Sequence, residues 1–186
     1  MVIHHPAGWV ETVLDLWFRE LDPKAWFTKS DATDALIRER GLAIHEQLAS
    51  ELPPETREDA RAALAAVIAL DQFPRNVFRG TPRAFATDPL ALDLAKHAVA
   101  LGFDTSMSKN ERLFLYLPFE HCEGADEQAR CVALFAGLDD PELSRYATAH
   151  KVIIDRFGRF PHRNEILGRT STPDELAFLS QPGSSF

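Results

Sequence analysis

Apolar residues recur along the chain three and four positions apart, and strict alternation is almost missing, so the pattern predicts helices and no sheet. Trp9, Val13, Leu14, Trp17, Phe18 and Leu21 form the first stripe, on a helix that Pro6 can open and that reaches about Leu21. The segment DPKAWF turns the chain. Ser30 or Asp31 then caps a second helix, which Pro53-Pro54 ends near Leu52. A third begins near Pro54, carries Leu64, Val67 and Ile68 on one stripe, and must stop or bend at Pro74, which lacks an N–H.

Thr87 or Asp88 before Pro89 starts the next helix, and Gly102 suits its left-handed stop. Ser108 with Glu111 forms a capping box ahead of ERLFLYLPFEHCE. That helix is apolar on every side from Leu113 to Leu117, as a helix surrounded by others is, and Pro118 should kink or end it. Further helices are expected from about Asp126 to Gly137 and from Pro141 to Gly158, and Thr172-Pro173-Asp174-Glu175 caps the last. The fold class is therefore all-α. About eight helices joined by short turns predict stacked antiparallel hairpins in a single all-helical domain over residues 1–186. The tail QPGSSF is expected to be loose, and His4 and His5 belong to a disordered start.

Composition narrows the function classes. A formal charge of −8 and a pI of about 5.3 repel phosphate backbones, which argues against nucleic acid as a partner. The longest apolar run is Ala62 to Leu70, whereas a membrane span needs about 20 residues. The beginning MVIHHPAGWV has no signal-peptide pattern, and Cys122 and Cys131 make no disulfide framework. A cytoplasmic protein that does not engage membranes is the expectation. No His-x-x-x-His, P-loop or dinucleotide fingerprint occurs, so neither metal nor cofactor is expected.

Polar groups then appear where the stripes call for apolar ones. Helical steps from Leu64, Val67 and Ile68 arrive at Asp71, and Glu120 and His121 follow the apolar run of the central helix. His150 sits on the stripe Leu143, Ala147, Ile154, Phe157 and reads as a hydrogen-bonded core histidine. Two arginine-rich bends offer partners: DQFPRNVFRG from Asp71 and DRFGRFPHRNEILGR from Asp155. Asp71–Arg83 holds three arginines and one acid, and Asp155–Arg169 holds four arginines and two acids, so each carries +2 and the remainder carries −12. Guanidinium forks suit carboxylates and phosphates.

Two readings stand side by side. In one, Asp71, Glu120 and Glu123 pair with arginines such as Arg75, Arg159 and Arg163 to lock helix ends. In the other, the two bends face each other across a cleft floored by PFEHCE and bind an anionic small molecule or peptide end. The candidate binding residues are Asp71, Arg75, Asn76, Arg79, Glu120, His121, Arg159, His162, Arg163 and Asn164. A hydrolase or isomerase using His121 or His162 as general acid–base is the alternative, and a scaffold for a protein partner is a third. Cys122 cannot face the adjacent His121 across a helix, so it reads as a small buried hydrophobe.

The segments LDQFPRNVFRGTPRAFATD, ERLFLYLPFEHCE and HKVIIDRFGRFPHRNEILGRTSTPDE, with VLDLWFRE and AWF, resemble the family called domain of unknown function 924. The likeness spans almost the whole chain. It implies a superhelically stacked fold like that of tetratricopeptide-repeat proteins, a right-handed superhelix. It brings no catalytic or binding residues with it. Cys122 departs from a frequent serine of the family, which implies a tolerant, non-nucleophilic position.

Overall fold

The computed structural model describes residues 7–184, and it holds nine α-helices and no strand among them. They are α1 (Trp9–Asp15), α2 (Asp31–Ser50), α3 (Glu55–Glu58), α4 (Ala60–Val77), α5 (Asp88–Ala100), α6 (Lys109–His121), α7 (Ala125–Ala136), α8 (Pro141–Phe157) and α9 (Pro173–Leu179). His4, His5, Pro6 and the last two residues of the tail lie outside the described residues. The chain forms two compact units where the sequence shows no linker. Unit 1 runs up to Arg79 and resumes over Arg83–Pro118; unit 2 comprises Gly80–Pro82 and the chain from Phe119 onward.

Local chemistry sets most boundaries. Ser30 accepts from the Thr33 N–H at 3.3 Å and opens α2. Ser108 and Glu111 exchange both bonds of their box ahead of α6. Gly102 and Gly158 take φ values of +72° and +69° at the ends of α5 and α8. The expected third helix differs: Asp59, not Pro54, caps the long segment, accepting from the Ala62 N–H at 2.8 Å, and Pro53-Pro54 lead instead into the single turn α3.

Both internal prolines lie within their helices, so of the stop or bend expected at Pro74 and the kink or end expected at Pro118 neither stop occurs. Pro74 cannot donate to the carbonyl of Leu70, four residues back. The Thr87 hydroxyl does so in its place at 2.6 Å, and this buried replacement lets α4 run on to Val77.

In unit 1, α4 is buried along nearly its whole length and packs against α1, α2, α3 and α5. Gly41 lets α2 approach it: a Cβ there would sit 2.5 Å from the Phe73 ring. Trp17, Phe18, Trp26 and Phe114 add an aromatic cluster, with Trp26 edge-on to Phe114 at 4.9 Å. In unit 2, α7 packs on α8, and Ile153, Ile154 and Phe160 form a small core flanked by Phe157 and Phe178.

Candidate functional site

The first arginine-rich bend is the end of α4, in unit 1. Asp71 is fully buried, as its stripe requires, and its Oδ2 accepts from Gln72 Nε2 at 2.5 Å. Arg75 closes on the Asp88 carboxylate with both ends of its fork, at 2.8 and 2.9 Å, and lies 3.3 Å from Asp71 Oδ1. Burial disfavours its charge, yet Asp71 and Asp88 together raise its pKa above the ordinary value. Asn76 donates to the Gln72 carbonyl at 3.0 Å, and Arg79 holds Asp34 bidentately at 2.8 and 3.1 Å. Arg83 reaches Glu46 and lies 3.8 Å over the Phe78 ring. The Val77 carbonyl, orphaned at the helix end, accepts from Arg38. These side chains tie α2, α4 and the start of α5 together.

The second bend follows α8, in unit 2. Arg159 grips Glu175 with two bonds of 2.7 and 2.8 Å and donates to the Thr170 carbonyl. That hydrogen bond, above all, holds the Glu175 carboxyl down at about 2. Glu175 also completes the capping box of α9 with Thr172. Asn164, buried, donates to Ser171 Oγ and Glu175 and accepts from Arg169 Nε at 3.0 Å. Arg169 in turn clamps Glu123 at 2.7 and 3.0 Å, while Glu123 accepts the Phe160 N–H at 2.8 Å. Burial alone would raise the Glu123 pKa; the Arg169 and Phe160 hydrogen bonds more than offset it and leave it lowered. Arg159, Asn164 and Arg169 thus fold the segment after α8 back on itself.

A different cluster surrounds the Phe160 ring, which is fully buried. Arg163, also buried, lays its guanidinium 4.6 Å over the ring centre. The imidazoles of His150 and His162 stand 5.7 and 5.6 Å from it, centre to centre. His150 Nδ1 is 2.9 Å from the Tyr146 carbonyl, an acceptor only, so Nδ1 carries the proton in that bond; Glu120 Oε1 lies 3.5 Å from the same nitrogen. His121, the last residue of α6, is near enough for its charge to bear on both other imidazoles. Burial pushes His150 down to about 3, with His121 and Arg163 adding to it, and pushes His162 down to about 4, with Arg163 next. Both rings are therefore neutral at pH 7.

Gln128 holds the floor of this cluster. Its Nε2 donates to the carbonyls of Glu120 and Cys122, each at 2.7 Å, at the end of α6. Cys131 is buried, and burial pushes its thiol pKa up. Cys122 is half-buried, and its Sγ accepts from the Gly124 N–H at 3.3 Å, so the reading of it as a buried hydrophobe holds only in part. Among the described residues, no group of three or more His, Cys, Asp or Glu is placed to hold a metal ion.

The candidates thus fall into two sets. Asp71, Arg75, Asn76 and Arg79 belong to unit 1, while Glu120, His121, Arg159, His162, Arg163 and Asn164 belong to unit 2. The arginines of the first bend pair with acids of unit 1, and Arg159 and Arg169 pair with acids of unit 2. Thr87, Gln128, Arg169 and Glu175 were not singled out as partners from the sequence. Only Thr87 had a signal there, since Pro74 announces that the Leu70 carbonyl needs a donor.

The family model described as "Bacterial protein of unknown function (DUF924)" matches residues 13–183. The chain belongs to this family. A solved structure, that of a protein of unknown function designated ATU0120 from Agrobacterium tumefaciens, is similar to it with 40% sequence identity. The match covers 94% of this chain and 98% of that one, with a TM-score of 0.89. No curated protein matches the chain. The solved neighbour shares the fold, and neither match names an activity. No helix among the described residues is long and apolar enough to cross a membrane.

Proposed function

We propose that the cluster of His121, His162 and Arg163 around Phe160 recognises an anionic group, the carboxylate or phosphate of a small molecule or of a peptide end. One observation carries this reading: two imidazoles and a guanidinium lie against one buried aromatic ring, with His121 near enough for its charge to act on both imidazoles, while Arg159 and Arg169 hold the bend itself. Arg159 and Arg169 each grip a carboxylate bidentately and account for the fold of the bend. A guanidinium in low-dielectric surroundings attracts an anion more strongly than one in water. Neutral imidazoles beside it can each offer one N–H.

Binding is favoured over proton transfer for a specific reason. A general base works best with a pKa near the operating pH. His162 at about 4 and His150 at about 3 are too weakly basic for that at neutral pH. They suit fixed hydrogen bonding better.

Titration calorimetry with inorganic phosphate, succinate and a short acidic peptide tests the reading, on the wild type, Arg163→Ala and His162→Gln. The expected result is saturable binding of at least one probe, weakened at least tenfold by Arg163→Ala and several-fold by His162→Gln. Silence from all three probes would end the proposal. So would unchanged affinity in either variant with its helical circular dichroism intact.

A further inference from the structure

The first helix of unit 1 does not end regularly. After α1, residues Leu16–Glu20 widen into a π-helical turn, and the Leu21 N–H donates to the Leu16 carbonyl five residues back at 3.1 Å. In an α-helix that N–H would go to Trp17. The Trp17 carbonyl is therefore open to another donor, and the Trp26 indole N–H takes it at 2.9 Å. This bond pins Trp26 against Phe18, edge to face at 5.9 Å, and both rings rest on Phe114. Single π-turns of this kind inside α-helices are frequent at functional sites.

Beside the turn lies a half-open cavity of about 260 Å³. Phe18 and Trp26 form its aromatic wall, and its rim carries Asp15, Arg19, Arg61 and Glu111. Two carboxylates and two guanidiniums leave the rim neutral yet strongly dipolar. The ion pairs that engage rim residues are solvent-exposed: Arg19 with Asp15 at 2.8 Å, and Arg61 with Glu11, which stands outside the lining, at 2.9 Å. Exposed pairs of this kind are worth only about 0–1 kcal/mol, so a ligand bearing both charges can replace them at little cost. The volume suits about a dozen non-hydrogen atoms, below the roughly 300–1,000 Å³ of pockets for larger ligands.

We propose that this cavity binds a small zwitterion with a flat apolar body, of the aromatic amino-acid class. The ring of the ligand packs on Phe18 and Trp26. Its ammonium is held by Asp15 or Glu111, and its carboxylate by Arg19 or Arg61. Each part contributes separately, so removing either charge or the ring weakens binding. The site is in unit 1 and does not depend on the histidine cluster of unit 2.

Calorimetric titration of the full chain with L-phenylalanine decides it, set against 2-phenylethylamine, 3-phenylpropionate and glycine. L-Phenylalanine is expected to bind saturably in the millimolar range or tighter, and each partial analogue at least tenfold more weakly. Arg61→Ala and Asp15→Asn should each weaken L-phenylalanine about three- to tenfold. Asn110→Trp, an exposed rim position that leaves the core untouched, should abolish binding by filling the mouth. His162→Ala should leave it unchanged. The proposal is overturned if L-phenylalanine shows no saturable heat, or if the amine or the acid alone binds as tightly. It is equally overturned if folded Asn110→Trp binds normally, or if His162→Ala abolishes binding.

Discussion

The two arginine-rich bends spell nearly the same letters and solve different problems. At the end of α4 the helix never breaks: Thr87 replaces the hydrogen bond that Pro74 forfeits, and Arg75 and Arg79 pin neighbouring segments through Asp88 and Asp34. After α8 the helix stops at Gly158, and the chain turns through a short 3-10 segment, Pro161–Arg163. There Asn164 becomes a buried hub between Arg169 and Glu175, whereas Asn76 donates back to its own helix and accepts only a long bond from nearby Arg79 at 3.4 Å. A local motif therefore specifies a set of donors, and its surroundings decide what they hold. Both bends set an imidazole and a guanidinium against a phenylalanine, but His45 and Arg83 meet the half-buried Phe78 in the first, whereas two imidazoles and Arg163 meet the fully buried Phe160 in the second.

Several measurements can break or sharpen this contrast. The largest effect is expected from Phe160→Ala, which empties a fully buried ring site at the centre of the second bend. It should cost about 3–5 kcal/mol in urea unfolding. A loss below about 1 kcal/mol would show that the bend is not built on that ring.

Acid should act through the second bend as well. His150 is held at about 3 when folded, against an ordinary 6.5. The unfolded chain thus binds the extra proton first, and stability present above pH 6.5 is lost as pH falls toward 3. Between pH 6.5 and 5 this amounts to about 2 kcal/mol. His162 works in the same direction, and Glu175 adds a loss from 4.5 toward 2. His45 in unit 1 is lowered too, mainly by burial, so the first bend's surroundings are not indifferent to acid. Replacing His150 with Gln should flatten the stability slope between pH 6.5 and 5. An unchanged slope would remove the buried imidazole as its source.

Thr87→Val tests the first bend. It keeps the shape, deletes the hydroxyl and leaves the Leu70 carbonyl buried without that donor, at a cost of about 1–2 kcal/mol. A neutral result would mean that α4 tolerates Pro74 by some other route. The smallest effect belongs to Thr172→Ala, which removes the capping box of α9 and should cost about 1 kcal/mol. Fraying confined to α9 in amide exchange would confirm that its consequence stays local.

Much of this was legible along the chain. Ser30, Ser108, Thr172, Gly102 and Gly158 sit at helix ends as their chemistry requires. Asp71 is buried where its stripe put it, and His150 is the hydrogen-bonded core histidine that its stripe suggested. The failures have one origin. A stop is one of the two outcomes expected at Pro74 and at Pro118, because local rules count a lost N–H without seeing a donor supplied from elsewhere, as Thr87 supplies one at Pro74. The π-turn at Leu16–Glu20 has no local signature either; it is visible only through Leu21 and Trp26.

By itself, then, the sequence determined the helical class, most helix ends and the concentration of arginine at two bends, because caps, glycines and 3.6-residue stripes act within a few residues. Tertiary structure alone decided which acid each arginine grips, that α4 survives its proline, and that His150, His162 and Arg163 gather around Phe160 with His121 close by. Those pairings join residues up to 50 positions apart. No local energy favours one distant partner over another until packing brings them within reach.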